Sequence, residues 1–143
     1  MSFTLKSSGI TEGAKIDKKF TPHGKDVSPD FEWINAPVGT KSFAFIVDDP
    51  DAPVGLWTHW AVKNIPVNLT SFEEGSVPGK EVVNSWGIKR YKGPKPPSGT
   101  HRYFYKLFAL DVNTLNSEDL KGLYTEIEKH KIGQAQIMGT YTH

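Results

Sequence analysis

The sequence has no cysteine among its 143 residues, which excludes disulfide frameworks, thiol catalysis and zinc–thiolate sites. Long apolar runs are also missing. No stretch is long enough to span a bilayer, and the first six residues lack the apolar core of a signal peptide. Repeats, low-complexity segments and linker-like stretches are absent as well. We therefore expect one cytoplasmic domain over residues 1–143, large enough to bury a core without metals or disulfides.

An excess of charge of either sign is missing too. Seventeen Lys and Arg residues face sixteen Asp and Glu residues, for a formal charge of +1, so no global field favours nucleic acid or an anionic membrane. We expect no nucleic-acid partner, no stable membrane insertion and no cofactor. A local basic run comprises Lys89, Arg90, Lys92 and Lys95. It is either a solvated face or a source of long-range attraction for an anionic ligand.

Alternating and continuous apolar patterns predict a mainly β protein. About seven strands and one helix favour a two-sheet, largely antiparallel β fold with a short C-terminal helix. The helix is expected to be capped by Asn116 or Ser117 and to stop at Gly133, because Leu120, Leu123 and Ile127 follow helical spacing. Seven strands are predicted, over 3–6, 14–20, 31–34, 42–47, 59–65, 81–86 and the run from residue 101, and the apolar residues of a closing segment over 132–141 are expected to return to the sheet.

The stretch from Gly93 to Asp111 joins a rigid turn to a strongly apolar strand. Three prolines, at positions 94, 96 and 97, restrict the backbone of the turn. The strand is apolar at both parities, which is typical of a strand covered on both faces. Because side chains alternate along a strand, His101 and Tyr103 should share one face, and Arg102 and Phe104 the other.

A second informative stretch is the acidic turn after the strand over 42–47. Asp48, Asp49 and Asp51 fall within four residues, and their carboxylates repel one another unless a positive or proton-donating group lies nearby. His59 stands at the start of another apolar strand and is one such group. Arg102, on the opposite face from His101, is expected to offset the crowding by pairing with Asp51 or Asp48.

The order of several motifs resembles that of the phosphatidylethanolamine-binding protein (PEBP) family, which includes the Raf kinase inhibitor proteins. The resemblance covers most of the chain and is closest to the short bacterial and archaeal members. It rests on these motifs: Asp49-Pro50-Asp51-Ala52-Pro53, Trp57-x-His59-Trp60, Asn84-Ser85-x-Gly87, the run from Tyr91 through Gly99-x-His101-Arg102-Tyr103, and the ending from His130-x-x-Gly133 to Gly139-Thr140-Tyr141.

This resemblance implies a PEBP-like two-sheet β fold with a small pocket for phosphate or similar anions. It also suggests a cis Ala52–Pro53 peptide bond beside that pocket. Asp51 and Arg102 are expected to be structural neighbours of the site, and Trp60 to lie in the core. The residues expected to bind the ligand are Asp49, Pro53, Trp57, His59, Pro96, His101 and Tyr103.

Three classes of function fit these residues. A non-enzymatic binding or regulatory protein is favoured, because no serine, cysteine or lysine nucleophile lies in a recognisable activating motif. A small hydrolase using Asp49 and the histidines for acid–base catalysis is the second class. A metal site from His59, His101 and Asp49 or Asp51 is the third. Within the binding class, the proline-stiffened loop from Gly93 to Gly99 suggests a serine protease inhibitor.

Overall fold

The computed structural model describes residues 1–143. The chain forms eight strands, one α-helix and a single 3₁₀ turn at Lys18–Phe20. The strands are β1 (Thr4–Lys6), β2 (Phe31–Ile34), β3 (Ser42–Asp49), β4 (Trp57–Pro66), β5 (Ser71–Phe72), β6 (Lys80–Val82), β7 (Thr100–Leu110) and β8 (Lys131–Thr142), and the helix is α1 (Leu120–His130).

The strands form two antiparallel sheets, which confirms the predicted mainly β, two-sheet architecture. The small sheet has the order β1-β2-β5 and the large sheet the order β6-β4-β3-β7-β8. The large sheet therefore has β3 at its centre and β6 at one edge, and β7 lies inside it, as the apolar pattern of the strand from residue 101 predicts. The main core is aromatic: the ring centroid of Phe31 lies 4.8 Å from that of Phe45 and 5.5 Å from that of Tyr105.

Helix α1 belongs to a second, smaller apolar cluster, in which Leu123 and Ile127 join Ala44 and Ile46 of β3. The predicted helix exists, but neither Asn116 nor Ser117 caps it. Asp119 is the N-cap, and its carboxylate accepts the Gly122 N–H at 2.7 Å. A carboxylate in this position binds one of the free N–H groups of the first turn, and the helix therefore begins later than predicted.

The strand predicted over residues 14–20 is wrong. Only Lys15 forms an isolated bridge, to Thr140, and the segment continues into the 3₁₀ turn. Asp17 caps that turn by accepting the Lys19 N–H at 2.8 Å. Ile16 and Phe20 are both buried, and their spacing of four residues fits one turn of a helix as well as it fits a strand. The cap from Asp17 favours the 3₁₀ turn over a strand.

A bulge in β4 gives His59 its direction. Val47 pairs with Trp60 and Asp48 with Thr58, so His59 is an extra residue opposite β3. A bulge of this kind interrupts the alternation of side chains. Thr58 consequently contacts Tyr124 of the helix, whereas His59 packs against Tyr103 and Trp60 joins the main core with Phe45.

None of the helices is both long and apolar enough to cross a membrane.

Candidate functional site

A cavity of about 240 Å³ lies where β3 ends and β4 begins. Six of the seven predicted ligand-binding residues line it, and His101 does not. The lining comprises Asp49, Ala52, Pro53, Val54, Trp57, His59, Trp86, Lys95, Pro96, Pro97 and Tyr103. The structure thus brings the acidic turn, the start of β4 and the proline loop together around one opening.

Asp49 is fixed by two donors. Its Oδ2 lies 2.6 Å from Nδ1 of His101, and its Oδ1 accepts the backbone N–H of Asp51 at 2.7 Å. Asp49 and His101 are both buried. His101 therefore holds the carboxylate of Asp49 in place without lining the cavity, whereas the family resemblance led us to expect it among the ligand-binding residues.

His59 has one ring nitrogen committed to the backbone. Its Nδ1 lies 2.6 Å from the carbonyl oxygen of Lys92, and because a carbonyl only accepts, Nδ1 must carry the proton. Burial lowers the pKa of His59, which favours the neutral ring. In that form Nε2 is an acceptor, and it becomes a donor only when the imidazole is protonated.

Tyr103 supplies a hydroxyl that stays protonated. Burial raises the pKa of Tyr103, and the negative charge of Asp49 raises that pKa further. Its ring lies nearly perpendicular to the His59 imidazole, with centroids 5.2 Å apart. The Tyr103 hydroxyl is therefore a lasting donor beside a histidine whose charge depends on pH.

Arg102 is on the opposite face of β7, as alternation predicts, and it pairs with Asp51 rather than with Asp48. Its Nε and Nη2 donate to Oδ2 and Oδ1 of Asp51 at 2.9 and 2.8 Å, and its backbone N–H donates to Oδ2 at 2.9 Å. The hydrogen bonds from Arg102 lower the pKa of Asp51 to about 2. This pair ties the acidic turn to β7.

Asp48 is compensated separately, on the helix side of the sheet. Its Oδ2 accepts from Nζ of Lys106 at 3.1 Å and from the Tyr124 hydroxyl at 3.0 Å. Burial raises the pKa of Asp48, and Lys106 opposes that shift. The three crowded carboxylates are thus divided among three different sets of donors.

The predicted cis bond between Ala52 and Pro53 is wrong, since every peptide bond is trans. The chain instead reverses in a turn over residues 52–55 whose peptide bonds are all trans. Gly55 donates its N–H to the Ala52 carbonyl at 2.9 Å and has a φ of +102°. A glycine reaches this region of φ without steric cost, so the turn is made without a cis proline.

Trp86 is a wall of the cavity that sequence reasoning missed. Its ring lies at 89° to that of Trp57, with centroids 5.5 Å apart, and 4.9 Å from the His59 ring. The predicted strand over 81–86 stops at Val82 because the Asn84 side chain makes a turn, accepting the Trp86 and Ile88 N–H groups at 2.9 and 3.2 Å. In the sequence, the Asn84-x-x-Gly87 spacing was the signal that could have predicted this turn.

Hydrogen bonds hold the start of the proline loop, which runs from Gly93 to Gly99, in place. Gly93 donates its N–H to Oδ1 of Asp26 at 2.8 Å, and a side chain at Gly93 would collide with the carbonyl oxygen of Phe20, which lies 1.9 Å from the position of an added Cβ. The neighbouring Lys92 donates its N–H to the His59 carbonyl at 3.3 Å. This anchoring places the Lys92 carbonyl against the His59 ring, and brings Lys95 to the cavity wall.

The residues considered for a metal site do not form one. No group of three or more His, Cys, Asp and Glu side chains lies close enough to hold a metal ion. A larger depression of about 620 Å³ is found beside Trp33 and Phe43, but its only ionisable lining residue is Glu32. The cavity at Asp49 differs from this depression in combining several ionisable side chains with aromatic ones.

Comparison with known proteins gives consistent matches. A family model described as phosphatidylethanolamine-binding protein matches residues 6–142. A UPF0098 protein of Methanothermobacter thermautotrophicus is 39% identical over 147 residues, covering 96% of this chain and 97% of its own. A Mycobacterium tuberculosis protein named as lipoprotein LppC is 36% identical over 144 residues, covering 96% and 71%. The crystal structure of Escherichia coli YbcL, described as a new member of the mammalian PEBP family, matches with a TM-score of 0.92 at 29% identity, covering 100% and 99%.

Proposed function

Because the chain belongs to the phosphatidylethanolamine-binding protein family, we propose that its cavity binds a small oxyanion, either phosphate or the phosphoryl group of an ester. One observation carries this proposal. His59, Tyr103 and Lys95 line the same cavity, and these three side chains are donors or become donors on protonation. Binding in this pocket, rather than catalysis, is the proposed role.

The charge of Asp49 is compatible with an anion because other groups already use its oxygens. His101 and the Asp51 N–H each occupy one carboxylate oxygen. Lys95 adds a positive charge at the wall. Protonation of His59 would add a second one, and a charge-assisted hydrogen bond contributes roughly 1.5–3 kcal/mol against about 1 kcal/mol for a neutral bond.

Calorimetric titration with inorganic phosphate tests this proposal. Tyr103→Phe removes one donor from the cavity and should weaken phosphate binding by about fivefold or more, the equivalent of one lost hydrogen bond. The matched control is Tyr124→Phe, since that hydroxyl is also largely buried but bonds to Asp48 and Thr58 on the other face of the sheet. Equal affinities for phosphate in the two variants would count against the site, as would no binding by the wild type at millimolar phosphate.

The proposal that the protein is not an enzyme rests on the same geometry. A hydrolytic carboxylate must be free to activate water, and both oxygens of Asp49 are engaged by the rest of the chain. Incubation with p-nitrophenyl phosphate should release no more nitrophenol than buffer does. Release of nitrophenol by the wild type that is lost in Asp49→Asn would instead establish the hydrolase alternative.

Serine protease inhibition is a second proposal, favoured by the anchored proline loop. An inhibitory loop must be rigid and exposed. Gly93 fixes one end through Asp26, and the segment 97–100 is exposed. Nanomolar inhibition of any member of a serine protease panel would support this role, and no inhibition at micromolar protein would remove it.

We also propose a cytoplasmic location. One relative is named as a lipoprotein, so fractionation of the source cells is the relevant measurement. Recovery of the protein with the membrane fraction would contradict the proposal.

A further inference from the structure

The cavity is larger than a bare oxyanion requires. Four oxygens, each no larger than a water molecule, fill on the order of 120 Å³ at most, and the cavity measures about 240 Å³. At least half of the space therefore remains for whatever the oxyanion is attached to. The residues that line this remaining space decide what kind of substituent fits.

Two perpendicular indole rings form a corner of the cavity. Trp57 and Trp86 meet at 89°, and Trp86 keeps 42% of its surface exposed. Pro53, Val54 and Pro97 also line the opening. A flat apolar group can lie against one ring and meet the edge of the other, which are the two arrangements that aromatic pairs favour.

Positive charges lie against the same corner. Nζ of Lys92 lies 5.2 Å from the ring centroid of Trp86, so the negative face of that indole already faces a cation. Lys95 is part of the lining. An ammonium group on the ligand would therefore enter a cavity whose lining already carries the Lys95 charge, beside an indole that Lys92 already faces, whereas an uncharged substituent would meet no such repulsion.

From the cavity volume, the indole corner and the two lysines, we infer that this pocket selects oxyanions that carry a flat, apolar substituent, such as aryl phosphates, over aminoalkyl phosphates. The inference rests on the proposed oxyanion site and specifies its ligand class. Trp86 is the residue that confers the selectivity, through direct contact with the substituent.

Calorimetry at pH 7 with three ligands tests this inference: inorganic phosphate, phenyl phosphate and O-phosphoethanolamine. Phenyl phosphate should bind about tenfold more tightly than inorganic phosphate, as expected for one aromatic contact and its buried area. Phosphoethanolamine should bind no more tightly than inorganic phosphate. In Trp86→Ala the ratio of the phenyl phosphate affinity to the inorganic phosphate affinity should fall to about one, and Trp86→Phe, which retains a flat ring, should preserve most of the wild-type ratio.

Ile88→Ala is the matched control, because Ile88 is an exposed apolar side chain of the same loop that does not line the cavity. It should leave all three affinities unchanged. The inference is overturned if inorganic phosphate binds but phenyl phosphate gains nothing, if Trp86→Ala keeps the gain, or if phosphoethanolamine is the preferred ligand. Failure of all three ligands to bind would instead remove the oxyanion site itself.

Discussion

His101→Ala is expected to destabilise the protein by about 2–3 kcal/mol. His101 and Asp49 are buried side chains, with relative exposures of 9% and 4%, and their 2.6 Å contact engages Oδ2 of the carboxylate, while the Asp51 N–H engages Oδ1. Removing the imidazole forfeits a charge-assisted bond, worth roughly 1.5–3 kcal/mol, and leaves a carboxylate oxygen without a partner. In a chain of this length, that loss corresponds to a decrease in Tm of about 6–12 °C.

The chain contains its own control for this prediction. His130 makes the same Nδ1–carboxylate contact with Asp111, at 2.9 Å, but those side chains are 25% and 49% exposed. A solvent-exposed pair of this kind contributes between 0 and about 1 kcal/mol. His130→Ala should therefore lower the stability much less than His101→Ala, although both remove one imidazole from one aspartate.

Urea denaturation at pH 7 measures both effects, and phosphate titration shows whether the site is altered. His101→Asn should recover part of the stability, because its amide nitrogen can occupy the place of Nδ1 and donate to Asp49. Phosphate affinity should fall about tenfold or more in His101→Ala, through the loosened Asp49, and recover in His101→Asn. Equal losses of stability in His101→Ala and His130→Ala would refute the claim that burial makes the first pair important.

The remaining predictions concern the other two carboxylates. Lys106→Met leaves the buried Asp48 with only the Tyr124 hydroxyl and should cost about 3–5 kcal/mol of stability. Because burial holds the folded-state pKa of Asp48 above its ordinary value, the folded protein binds that proton more tightly, so urea curves should show Lys106→Met losing further stability as the pH rises above the unfolded value near 3.9. For Asp51 the sign is opposite, since its folded pKa of about 2 is below the unfolded value near 3.9: its contribution is present above about pH 4 and is lost as the pH falls toward 2. Thermal melts of Asp51→Asn should lack that acid-dependent component, and a melt with the wild-type slope would contradict the assignment.

Alternation along β7 was sufficient to predict which side chains share a face. His101 and Tyr103 lie on one side and Arg102 on the other, as a period of two requires. The order of the family motifs was sufficient to predict that Asp49, His59 and Pro96 come close together. The first prediction rests on the local geometry of a strand, and the second on the family motifs taken together.

Features that depend on one side chain binding a distant backbone group could not be predicted. The bulge that directs His59 is visible only in the register of β3 against β4. Trp86 stands alone in a loop, with no periodicity, and reaches the cavity because Asn84 binds the surrounding backbone. His101 was expected among the ligand-binding residues because the family motif includes it, but it bonds to Asp49 and does not line the cavity.

The pH dependence of sulfate binding tests the central claim most directly. Sulfate keeps its charge across this range, whereas phosphate and its monoesters change their protonation within it, a monoester with a pKa near 6, so a change in sulfate affinity reports on the protein alone. Because the folded pKa of His59 is below its usual value near 6.5, sulfate affinity should rise as the pH falls from 8 and should continue to rise below 6.5. His59→Gln should abolish most of that rise. A sulfate affinity that is flat or decreasing over the same interval would contradict an oxyanion site built around His59.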